Sequence, residues 1–190
     1  IKALVSKAGN GSADIVGVSK IKQEPTAMQS GAVADISSVV EACDKALNDI
    51  EKQAGVEVRE AVIGIAGELV KGKTTTVKYR RAVPKEPMTI EEIEEIVSKA
   101  QAMAYEQARK QLQVESGNKH IDVRLVNSAL VDIRVDGYEV TNPVGFQGGN
   151  VAVQLYTAFA PMIHIGALER VAEELDLELI ALAAEPFAVA

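Results

Sequence analysis

The segment from Asp136 to Gly149 places the strongest limits on how this chain can fold, because it puts a turn, a rigid dipeptide and several glycines between two strand-like runs. Asp136-Gly137 predicts a turn with positive φ, and Asn142-Pro143 predicts an extended approach to the next turn. The glycines between 145 and 149 let the backbone bend where a side chain would clash. The segment carries no cluster of nucleophile, base or metal ligands, so we expect it to dock onto another molecule rather than to react.

Length and composition predict a folded chain of one large or two small domains. The 190 residues, 47% of them hydrophobic, are enough to bury a core. Acidic residues outnumber basic ones by 27 to 20, and the net charge of −7 argues against nonspecific binding to nucleic acid or to an anionic membrane surface. No apolar run approaches the roughly 18 residues of a membrane span. The single cysteine, Cys43, cannot form an internal disulfide, which fits a reducing compartment such as the cytosol.

Both ends of the sequence interrupt apolar runs, Ile1–Val5 and Phe187–Ala190. We therefore expect the chain to be part of a longer polypeptide.

The first fifty-odd residues predict a hairpin followed by a helix. A turn at Gly9–Ser12 separates a strand that reaches Lys7 from a strand over Asp14–Ile21. Asp35 is a typical N-cap and Gly55 a typical C-terminal stop. The predicted buried face of this helix consists of Ile36, Val39, Val40, Cys43, Leu47 and Ile50.

Two further strands complete the predicted first sheet. Ala61–Gly67 is apolar throughout, which predicts a strand covered on both faces, and Thr74–Tyr79 alternates, which predicts a half-exposed one. With the hairpin they predict one small mixed sheet. Pro84–Pro87 predicts a boundary between two subdomains.

The second half predicts the order helix, strand, short strand, strand, helix, strand. Thr89–Glu92 is a capping-box signature that starts a long helix, followed by a polar loop at 113–119. Longer strands are predicted over Ile121–Val135, Val151–Phe159 and Leu177–Ala184, with Pro161 in the first turn of the last helix. The predicted inward residues are Ile90, Ile93, Val97, Ala100, Ala104 and Ala108 in the first helix, and Leu168, Val171, Ala172 and Leu175 in the second.

For each candidate reactive residue a structural role fits better. His120 and His164 are far apart, with no cysteine or carboxylate at metal spacing, which indicates surface or helix-start residues. Cys43 lies on an apolar helix face, which indicates a structural thiol. Gly145–Gly149 lacks the Lys-Ser/Thr and the following helix of a P-loop, which indicates a turn. We therefore assign no catalytic, cofactor-binding or metal-binding residue.

Two polar runs also have simple interpretations. The acidic residues Glu91, Glu92, Glu94 and Glu95 predict a solvated first helical turn that complements the helix dipole, with contact to a basic partner as the alternative. Thr74–Thr76 reflects strand propensity.

Several stretches occur together in a recognisable order. The most specific is Asn142-Pro143-Val144-Gly145, continued by Phe146 and a glycine. The others are Gly17-Val18, Gly31–Ile36, Ile63–Gly67, Thr89–Ile93, Asp136-Gly137 and Glu185–Ala188. Together they cover nearly the whole chain and resemble the FtsA family of bacterial cell-division proteins, within the actin-like ATPase superfamily.

This resemblance implies an α/β (α+β) fold: part of an actin-like (ribonuclease H-like) sheet subdomain with an inserted strand-helix-strand-strand module. Residues 1–83 with 183–190 would form part of subdomain 1A, and residues 84–182 would form the inserted subdomain 1C. The polar segment 113–119 is longer than the usual connection in the family.

The resemblance also implies a role in protein–protein interaction and filament assembly at the division septum. The implied partners are filament protomers, other division proteins and, through a second lobe outside this chain, FtsZ; neither nucleic acid nor direct membrane contact is expected. ATP and Mg²⁺ are expected only in the full-length protein, because the family's phosphate loops fall before Ile1 and after Ala190, so this chain is not expected to be an enzyme. The implied location is the bacterial cytoplasm, peripheral to the inner face of the membrane.

Two alternatives stay open. A PilM-like adaptor of type IV pilus assembly shares the fold and the module, although Asn142–Gly145 favours the division protein. A small ligand-binding domain or enzyme is the alternative from another class. For the partner contact, the sequence suggests an exposed edge strand, either Ile121–Val135 or Val151–Phe159.

Overall fold

The structure is a computed structural model that describes residues 1–9, 11–68 and 70–185. Asn10 of the predicted hairpin turn and residues 186–190 of the closing motif lie outside the described residues. The elements in chain order are β1 (Lys2–Gly9), β2 (Ser12–Lys20), β3 (Met28–Gln29), β4 (Ala32–Val33), α1 (Ile36–Ala54), β5 (Glu60–Ile65), β6 (Lys71–Arg80), α2 (Ile90–Ser116), β7 (Val123–Val135), β8 (Tyr138–Glu139), β9 (Asn150–Pro161), α3 (Met162–Glu174) and β10 (Glu178–Ala184).

Two compact units make up this mixed α/β fold. Unit 1 contains the described residues of 1–68 together with 163–183, and unit 2 contains 70–162 with Ala184 and Glu185. These bounds differ from the predicted division at 83/84 and 182/183. The reason is that β6 pairs along its whole length with β9 and so lies in unit 2, whereas α3 and most of β10 lie in unit 1. The identification of the units with subdomains 1A and 1C stays a prediction.

In unit 1 the predicted hairpin β1–β2 packs against α1. The hairpin approaches the helix closely at Gly17, where an added Cβ would lie 2.8 Å from the carbonyl oxygen of Ile50, so only glycine fits there. The side chain of Gln53 accepts a hydrogen bond from the N–H of Val18 and donates one to its carbonyl. The helix is thereby fixed to the second half of strand β2.

The caps of α1 confirm the predicted ends, but its buried face is partly different. Asp35 accepts a hydrogen bond from the N–H of Ser38, and Gly55 ends the helix in the left-handed conformation. Ile36 is exposed, and Val40, Cys43 and Leu47 are only half-buried. The fully buried residues are Val39, Ala42, Ala46 and Ile50. Alanines take part because small side chains allow the close helix–strand approach seen at Gly17.

The prediction of one sheet for the first half is wrong. β1 pairs with β2, β5 pairs with β10, and β6 belongs to unit 2. The prediction that β5 is covered on both faces is also wrong, because the side chain of Val62 is 59% exposed. The strands themselves form as predicted, because a sequence pattern determines the local strand conformation more strongly than it determines which distant strand will pair with it.

Unit 2 is a four-stranded antiparallel sheet, in the order β6-β9-β7-β8, with α2 packed on one face. β9 therefore lies in the interior of the sheet, and the prediction that Val151–Phe159 forms an edge strand is wrong. Pro161 ends β9 instead of lying inside α3. The main core cluster between α2 and the sheet consists of Met88, Ile93, Ile96, Ile133, Val135, Val151 and Val153.

Helix α2 begins where the capping signal predicts and ends later than expected. Thr89 caps it by accepting a hydrogen bond from the N–H of Glu92. The helix continues to Ser116, so residues 113–116 of the predicted polar loop are helical. Burial of Leu112 against Val123 and Phe159 stabilises this last part. Ile90, predicted to face inward, is exposed because it occupies the first position after the cap.

Arg81, which follows β6, connects three parts of unit 2. Its side chain is 1% exposed, and its Nε and Nη2 donate to the two carboxylate oxygens of Glu92 at 2.8 Å each. Its Nη1 donates to the carbonyl oxygens of Glu86 at 3.0 Å and Gly148 at 3.1 Å. The end of β6, the start of α2 and the loop before β9 therefore share one buried cation.

We expect Arg81→Met to destabilise unit 2 by about 3 kcal/mol, because it leaves the Glu92 carboxylate and two carbonyls without their donor. Chemical denaturation followed by circular dichroism measures this change. Arg134→Met is the matched control, since Arg134 is 51% exposed and pairs with Asp132 on the surface, where such a pair contributes about 0 to 1 kcal/mol. Equal destabilisation by the two substitutions would contradict the role of Arg81.

Candidate protein-interaction site

The loop between β8 and β9 is held in place by the side chain of Asp136. Its carboxylate accepts hydrogen bonds from the N–H of Gly149 at 3.0 and 3.1 Å, and from the N–H and side-chain amide of Asn150 at 2.8 and 3.1 Å. These bonds, the one from Gly149 first, hold the pKa of Asp136 below its ordinary value. The positive φ predicted for Asp136-Gly137 is confirmed at both residues. The turn thus closes the loop at its base.

The middle of the loop is fixed against the segment that precedes α2. Asn142 accepts a hydrogen bond from the N–H of Val144 through its side chain, as is typical of an Asx turn. The N–H of Gly145 donates to the carbonyl of Met88, and the N–H of Met88 donates to the carbonyl of Phe146, both at 2.9 Å. Gly145 has a φ of 87°, which other residues rarely adopt.

The fixed backbone presents two apolar side chains to solvent. Val144 is 41% and Phe146 is 49% exposed, whereas Pro143 between Asn142 and Val144 is buried. A large aromatic side chain on a rigid, exposed loop is a typical anchor for protein recognition, since little conformational entropy is lost on binding. We define Val144 and Phe146 as the loop patch.

The ion pair between Arg81 and Glu92 also stabilises the loop that carries the loop patch, because Arg81 donates to the carbonyl of Gly148. The Arg81 guanidinium, by hydrogen bonding, holds the pKa of Glu92 below its ordinary value. The Glu92 side chain is only 19% exposed and pairs with the buried Arg81, so it is not the solvated acidic residue that the sequence predicted. Glu95 pairs with Lys99 at 2.6 Å on the surface of α2.

The other candidate residues from the sequence are not brought together. His120 is exposed, while His164, in the first turn of α3, is buried and not on the surface; burial lowers its pKa. Cys43 is half-buried in unit 1, and burial raises its pKa, which favours a structural thiol over a nucleophile. Thr74–Thr76 lies within β6, as predicted. Gly149 leads into β9 rather than a helix, so the glycines do not form a P-loop.

Within residues 1–9, 11–68 and 70–185, no group of three or more His, Cys, Asp or Glu side chains is arranged to hold a metal ion. None of the helices in this described part combines the length and the apolar character that a membrane span requires.

Sequence reasoning missed Arg81 and Met88, which support the loop patch. No short pattern separates a buried arginine from a surface one, and the neighbouring Arg80 is exposed. Met88 gave a weak signal, as a large apolar residue just before the capping box at Thr89. That position typically packs against the first helical turn, and here it also pairs with the loop.

No protein-family model matches the sequence. The chain is 23% identical over 190 residues to the cell division protein FtsA of Bacillus subtilis (strain 168), an alignment that covers 98% of this chain and 39% of that protein. It is 22% identical over 167 residues to FtsA of Streptococcus pneumoniae serotype 2, covering 86% of this chain and 33% of that protein. The chain thus spans between a third and two fifths of the length of these relatives.

Among solved structures, a PilM-PilN type IV pilus biogenesis complex matches with a TM-score of 0.61. The match is 16% identical and covers 98% of this chain and 45% of the matched chain. At this identity the likeness establishes the fold alone. The chain is therefore similar in sequence to the FtsA cell-division proteins over most of its length, and it has an actin-like fold of mixed α/β class.

Proposed function

We propose that this chain is the interaction-bearing part of an FtsA-like cell-division protein that assembles into filaments at the division septum. The observation that carries the proposal is the FtsA similarity, which extends over 98% of the chain. On this proposal the intact protein is located in the cytoplasm at the inner face of the membrane. It contacts other division proteins there, and FtsZ through a lobe outside this chain.

A second candidate is a PilM-like adaptor of type IV pilus assembly, which the structural match with a TM-score of 0.61 supports. The fold does not separate the two functions, because one fold often serves several. The stretch Asn142–Gly145, which contains Val144 of the loop patch, favours the division protein.

Depletion of the intact protein in its own bacterium separates the two candidates. We expect long, undivided cells that keep their surface pili, with division restored by re-expression. Normal division combined with loss of pili would favour the PilM-like adaptor instead. Cell length and pilus number, both scored by microscopy, are the two measurements.

We further propose that the loop patch contributes to contact between protomers. Val144→Asp combined with Phe146→Asp is expected to weaken self-association of the intact protein by about tenfold, since it places charge in an apolar contact. Sedimentation velocity measures this change. Val114→Asp is the matched control, because Val114 is apolar and 83% exposed on α2. If the double variant associates as before, or if the control weakens association equally, the proposal that the loop patch contributes to the contact between protomers is wrong.

ATP binding is proposed only for the intact protein, because the expected phosphate loops lie outside residues 1–190. Calorimetry with ATP and Mg²⁺ is expected to detect no binding to this chain alone. Tight, saturable binding of a nucleotide or metabolite by the isolated chain would instead favour the third alternative, a small ligand-binding domain or enzyme.

A further inference from the structure

Strand β6 forms one edge of the unit 2 sheet and is regular along its whole length. Its ten residues, Lys71–Arg80, pair one to one with β9 without a register shift. By contrast, β7 has two register shifts against β9, and such bulges protect a strand edge from further pairing. In the part of the chain that the structure describes, no strand pairs with the outer side of β6. The outer side of β6 is therefore an edge without bulges that can accept another strand.

The residues whose backbone groups point outward can be identified from one hydrogen bond. The N–H of Arg81, just after β6, donates to the carbonyl of Gly149, just before β9, at 2.9 Å. Residues of an antiparallel strand alternately direct both backbone groups toward the neighbouring strand and away from it. Odd-numbered residues of β6 thus bond to β9. The residues that direct N–H and C=O outward are Gly72, Thr74, Thr76, Lys78 and Arg80.

The side chains of β6 give this edge a positive charge in an acidic protein. The strand carries Lys71, Lys73, Lys78 and Arg80 and no acidic residue, whereas the whole chain has a net charge of −7. Lys71 pairs with Glu115 on α2 at 2.7 Å. Among the described residues, Lys73, Lys78 and Arg80 have no ion-pair partner. Such an edge repels a second copy of β6 and attracts an acidic segment.

A small cavity lies beside the first residues of β6, on the side of α2. Its volume is about 70 Å³. It is lined by Lys71, Gly72 and Lys73 of the strand, by Ala104, Ala108 and Gln111 of the helix, and by Phe159. This volume has room for a few water molecules or for the end of one aliphatic side chain. The cavity therefore offers an anchor for an apolar side chain next to the positive edge.

We propose that β6 receives an extended acidic segment of a partner protein as an additional strand of the unit 2 sheet. The outward backbone groups from Gly72 to Arg80 bond to the segment. Its carboxylates face Lys78 and Arg80 on the side of the sheet away from α2, and an aliphatic side chain on the other side enters the cavity. Backbone pairing provides affinity, and the charges and the cavity provide specificity.

A designed peptide tests this directly. The probe is a fluorescein-labelled ten-residue peptide in which glutamate alternates with valine or leucine, and the control peptide has lysine in place of glutamate. Fluorescence anisotropy with the purified chain is expected to show saturable binding of the acidic peptide and no binding of the basic one. Failure to bind the acidic peptide, or equal binding of both peptides, would overturn the proposal.

Variants of β6 separate backbone pairing from unspecific charge attraction. Thr76→Pro removes an outward N–H without removing a bond to β9, a position where edge strands tolerate proline, and it is expected to weaken binding more than tenfold. Thr76→Val, the matched control, keeps the N–H and is expected to bind like the natural sequence. Lys78→Glu combined with Arg80→Glu is expected to weaken binding by about tenfold. A folded Thr76→Pro variant that binds as tightly as Thr76→Val would overturn the proposal.

Amide hydrogen exchange on the unmodified chain covers the case in which Thr76→Pro does not fold. The amides of Thr74 and Thr76 are expected to exchange much more slowly when the acidic peptide is bound, because the added strand accepts their hydrogen bonds. Unchanged exchange in the presence of saturating peptide would overturn the proposal. These readouts use purified chain, so a normal division phenotype would contradict the proposed function without affecting this inference.

Discussion

The buried guanidinium of Arg81 is the interaction on which the geometry of unit 2 most depends. A buried cation is tolerated only when its charge is neutralised and its donors are satisfied, and here Glu92 and two backbone carbonyls do both. Because Glu92 is in the first turn of α2, where negative charge is also favoured by the helix dipole, the same pair fixes the start of the helix against the end of β6. The bond to Gly148 extends this constraint to the loop.

Exposure of the loop patch follows from that constraint. An apolar side chain on a flexible loop would fold back onto the nearest apolar surface, because burial is favourable. Here the backbone on either side of Val144 and Phe146 is bonded to Met88 and, through Asp136, to the start of β9. The loop backbone therefore cannot rearrange without breaking these bonds, and the two side chains stay available to a partner at a low entropic penalty.

The local features of the fold could be predicted from the sequence, and the non-local ones could not. The conformations at Asp35, at Thr89 and at the Asp136-Gly137 turn can be predicted because the groups that stabilise them lie within a few residues of one another. The pairing of β6 with β9 joins residues about eighty positions apart, and the alternation of β6 fits any sheet with one open face. Assignment of β6 to the first sheet was wrong for that reason, and Arg81 was missed because its partners are backbone carbonyls and one of several glutamates.

The chain is similar in sequence to FtsA proteins and in structure to a PilM-PilN complex, so its fold alone does not identify its function. A TM-score of 0.61 at 16% identity shows that the two chains share an architecture although most of their aligned residues differ. Core positions require mainly an apolar side chain of suitable volume, so they tolerate such change and carry little information about function. Function is better indicated by exposed positions that carry an apolar or a charged side chain where a neutral polar residue would serve the fold equally well. Val144 and Phe146 on the loop are positions of this kind. So are the basic side chains of β6 that have no ion-pair partner among the described residues.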